Sequence, residues 1–163
     1  MRPVDLRVTF TEYDFPEELP PDEQELIRQA RESMNNAYAP YSNFLVGAAL
    51  RLENGTTVTG NNQENASYPE GLCAERVALF SAGAMQGGIK IKTLAIVASS
   101  KNHTINKPVT PCGACRQVIA EYEHRYNQPI RLIMTGESGK ILVADGISQL
   151  LPLLFNGDDL KSK

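Results

Sequence analysis

The chain lacks the features that would send it to a membrane, a secretory route or a nucleic acid. Among its 163 residues the acids outnumber the bases, giving a formal net charge of −3 and a pI of about 5.4. No basic stripe is therefore available to track a phosphate backbone, and a small uncharged substrate suits the balance better. No apolar run reaches the roughly 20 residues that span a bilayer, and residues 1–10 lack the apolar centre of a secretory signal, so the expected location is the cytoplasm. There is no internal repeat and no low-complexity tract, and the length suits one domain. Histidine is confined to His103 and His124, and cysteine to Cys73, Cys112 and Cys115. Three thiols cannot all pair within one chain, and a reducing compartment favours sulfur held by a metal over a disulfide framework.

The few cysteines are placed to act together. Cys112 and Cys115 have the spacing of one helical turn, so both sulfurs can face the same ion. Cys73 would be the third ligand. Three protein ligands leave one position of a tetrahedral zinc site open to water, which distinguishes a catalytic ion from a structural one. Glu75, just beyond Cys73, can face that water without being a ligand, as a general acid and base must. Both cysteine groups fall at predicted helix starts, where unpaired N–H groups and the helix dipole stabilise thiolates. Three thiolates and Zn2+ sum to a negative charge, so nearby donors are needed to keep the ion acidic, and Arg76 and Gln117 are the candidates. Two other readings stay open on these residues alone. One is three buried thiols without a metal. The other is a closed structural zinc with His103 or His124 as fourth ligand, although His103 lies in a polar loop and His124 on a charged helix face.

The run Cys73-Ala74-Glu75 followed by Pro111-Cys112-Gly113-Ala114-Cys115 resembles the three-cysteine variant of the zinc nucleobase deaminase signature. With Arg76, Arg116, Gln117 and the upstream Asn62-Gln63-Glu64-Asn65-Ala66-Ser67, residues 38–160 resemble the small cytidine deaminases that act on free nucleosides. The resemblance implies one Zn2+ per chain and hydrolytic deamination of cytidine and deoxycytidine to uridine and deoxyuridine, with release of ammonia, in pyrimidine salvage. It further implies that Asn62 and Glu64 hold the ribose hydroxyls, that Phe44 lines the base pocket, and that the Ala74 backbone bonds the pyrimidine edge. Arg76 and Gln117 match residues that bond the ligand sulfurs. Phe155 matches an aromatic that covers the base from a neighbouring subunit of a homotetramer, with Tyr68 at the subunit contact. Asn61 and Gln63 replace more familiar residues, which bears on the shape of the sugar pocket. Without the resemblance, Phe44 and Phe155 read as core and Asn62 and Glu64 as polar loop groups. The rival functions are deamination of a modified cytosine nucleoside, as in antibiotic-resistance deaminases, and a non-catalytic, zinc-stabilised assembly module.

The pattern of the chain predicts an α/β fold. Residues 1–20 read as an N-terminal extension outside the resemblance, and 21–163 as one catalytic domain. Leu6, Val8 and Phe10 alternate with polar residues, so 7–13 reads as an edge strand or, given the acidic, proline-containing segment after it, an extended arm. Acids behind Pro20-Pro21 and the stripe Leu26, Ile27, Ala30 and Met34 predict a helix over 21–36. Strands at 46–52 and 56–60 flank the hairpin signal Asn54-Gly55. Helices open at Cys73 and Cys112, and between them the apolar run 91–98 has the character of a strand covered on both faces. Strands at 130–134 and 140–144 are joined too tightly for a crossover and form a hairpin, and a short last helix runs from Ile147 to near Pro152. The order α-β-β-α-β-α-β-β-α yields a three-layer α/β/α sandwich around one mixed five-stranded sheet.

Overall fold

Successive side chains of a strand point to opposite faces of the sheet, and that alternation sets the layers. The computed structural model describes residues 1–161. In chain order its strands and α-helices are β1 (Thr11–Tyr13), α1 (Pro21–Met34), β2 (Phe44–Leu52), β3 (Thr57–Asn61), α2 (Ala74–Met85), β4 (Ile91–Ser100), α3 (Gly113–Tyr126), β5 (Arg131–Thr135) and β6 (Ile141–Asp145). One face of the sheet carries Ala48, Leu50, Leu94, Ile96, Leu132 and Met134, which pack against Ala78, Leu79 and Ala82 of α2 and Ile119 and Tyr122 of α3. The other carries Ala49, Ala95, Val97 and Ile133, covered by Leu26, Ile27, Ala30 and Met34 of α1. A core on each side of the sheet makes the predicted three-layer sandwich.

The strand order is β1-β6-β5-β4-β2-β3. All neighbours are antiparallel except β4 and β5, which run parallel with α3 as their crossover. The sheet thus has six strands where the sequence pattern predicts five. Thr11 and Tyr13 pair with Val143 and Ile141 on the free edge of β6, and Lys140 forms an ion pair with Glu12 across it. The predicted last helix is a single 3-10 turn, Ile147–Gln149. Pro152 has no N–H with which to extend it, and the Leu150 and Leu151 amides both turn back to the Ile147 carbonyl. No helix among the described residues is long and apolar enough to cross a membrane.

Two glycines let helices lie directly on strands. A Cβ at Gly47 would stand 1.9 Å from the Ala30 carbonyl oxygen of α1. A Cβ at Gly60 would stand 2.5 Å from the Ala78 nitrogen and 2.6 Å from the Ala74 oxygen of α2. The side chain of Ser33 holds the Gly60 carbonyl from the other side, at 2.8 Å.

Candidate metal centre

Topology brings the thiols together. Strands β3 and β4 run in the same direction because each is antiparallel to β2, so both chains leave the sheet at one end and α2 and α3 begin there side by side. Cys73 and Cys112 are the N-cap residues of these helices, both with extended backbone, and neither uses its side chain as a cap. Cys115 lies in the first turn of α3 and is fully buried. The Sγ atoms of Cys73 and Cys112 are 3.8 Å apart, those of Cys112 and Cys115 3.5 Å, and all three lie within 4.8 Å of one another. Sulfurs at about 2.3 Å from a tetrahedral zinc sit roughly 3.8 Å from each other, so the trio fits that ion as three of four ligands. Neither histidine joins the cluster: His103 is exposed and His124 lies 3.9 Å from Asp158.

The electrostatics suit a cation. The thiol of Cys73 is lowered to about 5, first by its hydrogen bond with Cys115 and, against the cost of burial, by Arg76. The same hydrogen bond, together with burial, pushes Cys115 up, and a bound cation would displace the proton of any thiol it takes as a ligand. Arg76 Nη2 donates to the Gly71 carbonyl at 3.3 Å and to Cys73 Sγ at 3.8 Å. Glu75 is only 4% exposed, and burial, with the charge on Cys73 adding, raises its carboxyl above the ordinary range.

Cys73, Glu75, Arg76 and Cys112 line one side of a cavity of about 470 Å³, with Cys115 buried outside its lining. Phe44 and Val46 of β2, Ile96 of β4, Asn62 and Glu64 after β3, and Val109 and Thr110 before α3 form its walls. Asn62 ties its loop to β2: its Oδ1 accepts from the Val46 amide at 2.8 Å and its Nδ2 donates to the Phe44 carbonyl at 2.9 Å. Glu64 accepts from the Ser42 hydroxyl at 2.5 Å and the Tyr41 amide at 2.9 Å, and the first of these does most to hold its carboxyl below the usual range.

The residues singled out in the sequence do not all gather here. Ala74 opens α2 and is fully buried. Tyr68 lines the cavity yet is 79% exposed. Gln63 lines it too and donates to Asn61 Oδ1 at 2.5 Å. Phe155 is exposed and stands outside the cavity of its own chain. The Gln117 amide donates to the Phe155 carbonyl at 2.7 Å and not to a cysteine sulfur as the resemblance implies; of the two candidate donors only Arg76 reaches a thiol. Ser42, Val46, Ile96, Val109 and Thr110 were not anticipated. Only Thr110 carried a signal, its position just before the Pro-Cys motif.

Residues 20–127 match the family described as the cytidine and deoxycytidylate deaminase zinc-binding region. A cytidine deaminase of Halalkalibacterium halodurans is 42% identical over 139 residues, which cover 85% of this chain and 98% of that protein. One of Mycobacterium tuberculosis is 35% identical over 134 residues, 80% of this chain and 87% of that protein. Among solved structures, the cytidine deaminase of Burkholderia pseudomallei is similar with a TM-score of 0.69 and 40% identity, covering 80% of this chain and 97% of that one.

Proposed function

Since the chain belongs to the cytidine and deoxycytidylate deaminase family, we propose that it is a zinc-dependent enzyme that hydrolyses the amino group of cytidine and deoxycytidine in pyrimidine salvage. The observation that carries this reading is the trio of sulfurs at zinc spacing, of which Cys73 and Cys112 line, with the buried carboxyl of Glu75, a cavity of about 470 Å³.

Cys73, Cys112 and Cys115 would hold the zinc ion, which would supply the Lewis acidity that makes water a nucleophile near neutral pH. Glu75 takes a proton from the water that attacks C4 and gives it to ring N3. It then moves the second proton to the amine, the C4–N bond breaks, and ammonia and a uracil base leave. Arg76, with its guanidinium on Cys73, offsets the negative charge of the sulfur cluster. The base lies against Phe44, with its edge on the backbone amide of Ala74. Asn62 and Glu64 hold the ribose hydroxyls, and Glu64 is kept ionised for this by the Ser42 hydroxyl. Residues 21–163 are the catalytic domain and 1–20 an extension to it. Exposed Phe155 covers the base in a neighbouring subunit of a homotetramer, with Tyr68 at the contact. Three unpaired thiols suit a reducing cytoplasm.

The test is Glu75→Gln, which keeps the shape and removes the proton carrier. It should retain one zinc per chain by metal analysis and lose on the order of 10²- to 10⁴-fold in kcat on cytidine. A variant that turns over at the normal rate removes Glu75 from the mechanism. Ammonia released only from a modified cytosine nucleoside would redirect the substrate assignment, and no release from any cytosine nucleoside by the zinc-loaded chain would leave a zinc-stabilised module.

A further inference from the structure

Arg116 and Gln117 follow Cys115 directly on α3, and both reach the segment that comes after β6. The Arg116 guanidinium donates through Nε to the Pro111 carbonyl at 2.8 Å, through Nη1 to the Leu150 carbonyl at 2.8 Å, and through Nη2 to the Thr110 hydroxyl at 3.2 Å. The Gln117 amide holds the Phe155 carbonyl at 2.7 Å. The acceptors fall into two groups. Thr110 lines the cavity, and Pro111 immediately precedes the thiol of Cys112. Leu150 and Phe155 bracket a stretch without helix or strand, along which Leu153 and Phe155 are exposed.

We propose that Arg116 and Gln117 are positioning residues, a clasp on the thiol-bearing end of α3 that joins the cavity wall at 109–112 to the C-terminal segment at 150–155. A guanidinium presents its donors in a fixed planar fork, so the three bonds of Arg116 set the wall and the segment at one mutual angle. Pro111 and Leu150 are both buried, and the carbonyl of each would lose this partner without the fork. Gln117 then fixes the far end of the same segment at the residue that carries the exposed aromatic ring. The clasp therefore couples the grip on Cys112 to the placement of Phe155. Its effect on binding of the nucleoside base rests on the deaminase reading, whereas its effect on the segment does not.

Hydrogen–deuterium exchange of the zinc-loaded wild type, Arg116→Lys and Gln117→Ala tests the clasp. Lysine keeps the charge but cannot fork. In Arg116→Lys, exchange should rise about 10-fold in both 109–112 and 150–155, and zinc should pass to a chromogenic chelator several-fold faster. In Gln117→Ala the rise should be confined to 150–155, with zinc release unchanged. Both variants should raise KM for cytidine about 10-fold while kcat stays within twofold. Unchanged exchange at 150–155 in both variants would overturn the clasp, as would loosening of 109–112 alone in Arg116→Lys or a loss confined to kcat. Should Arg116→Lys fail to fold, Gln117→Ala decides by the exchange at 150–155. A wild type that deaminates nothing refutes the enzymatic reading, and exchange and zinc release still decide the clasp.

Discussion

Replacing Gly60 by alanine drives a methyl group into the first turns of α2. The new carbon would stand 2.5 Å from the Ala78 nitrogen, 2.6 Å from the Ala74 oxygen and 3.1 Å from the Ala78 Cα, where contact distances of about 3.5 Å are needed. All three obstacles are backbone, so no rotamer change relieves them and α2 must withdraw from β3 by about 1 Å. Overpacking of this kind costs about 1–3 kcal/mol, which in a chain of this length lowers Tm by roughly 2–10 °C. Ala74 lies between Cys73 and Glu75, so the displacement falls on the proposed ligand and the proposed proton carrier, and an error of that size in a catalytic group costs on the order of 100-fold in rate. Calorimetry and kcat/KM for cytidine measure the two effects. Gly55→Ala is the control: at a φ of +84° with nothing within 4 Å it should lower Tm and leave kcat/KM intact. A Gly60→Ala protein that melts with the wild type and deaminates within twofold of it would refute the reasoning.

Removing zinc with a chelator should leave far-ultraviolet dichroism intact at 25 °C and lower Tm by roughly 10 °C relative to protein in free zinc a thousandfold above Kd; loss of helix in the stripped protein would contradict this. Ser42→Ala should raise the Glu64 pKa toward its ordinary value, read by carboxyl titration in NMR. The depressed native pKa gives stability that is present above the unfolded value of about 4.3 and is lost as pH falls through the native one, so the variant should lose this acid-side dependence. An unmoved titration would mean that the hydroxyl is not the main cause. Glu123 Oε1 accepts the amides of Ile130 at 2.8 Å and Ile147 at 2.9 Å, so Glu123→Ala should cost about 2–4 kcal/mol in urea unfolding. Burial raises the Glu123 pKa, so that part of wild-type stability declines as pH climbs from about 4.3 through the native value, a slope that Glu123→Gln should flatten.

Much of the site was legible because its signals are local. The spacing of Cys112 and Cys115 places two sulfurs on one helical turn whatever surrounds them, and Glu75 is tied to Cys73 by adjacency. The approach of Cys73 to Cys112 is different in kind: it follows from two antiparallel steps in the strand order, which no spacing encodes. Val46 and Ile96 face the cavity from strands, where an inward apolar residue looks the same whether it meets core or ligand. The alternation that left 7–13 open between an edge strand and an extended arm is resolved only by backbone pairing, which Thr11–Tyr13 alone makes with β6. The place of the Gln117 amide depends on the path of residues 150–155, and Ile147, Leu150 and Leu151 suggested a longer helix than the single turn the chain forms.

Synthesis order gives the paired helix starts a further meaning. A growing polypeptide that has reached the end of β4 displays one sulfur of three, and the other two lie 39 or more positions beyond that first cysteine. Closing a loop of that size costs about 3 kcal/mol in chain entropy. In the finished fold the parallel pairing of β4 with β5 returns α3 beside α2 through backbone bonds alone, so an ion held by the trio would close a scaffold that strand pairing can form without it.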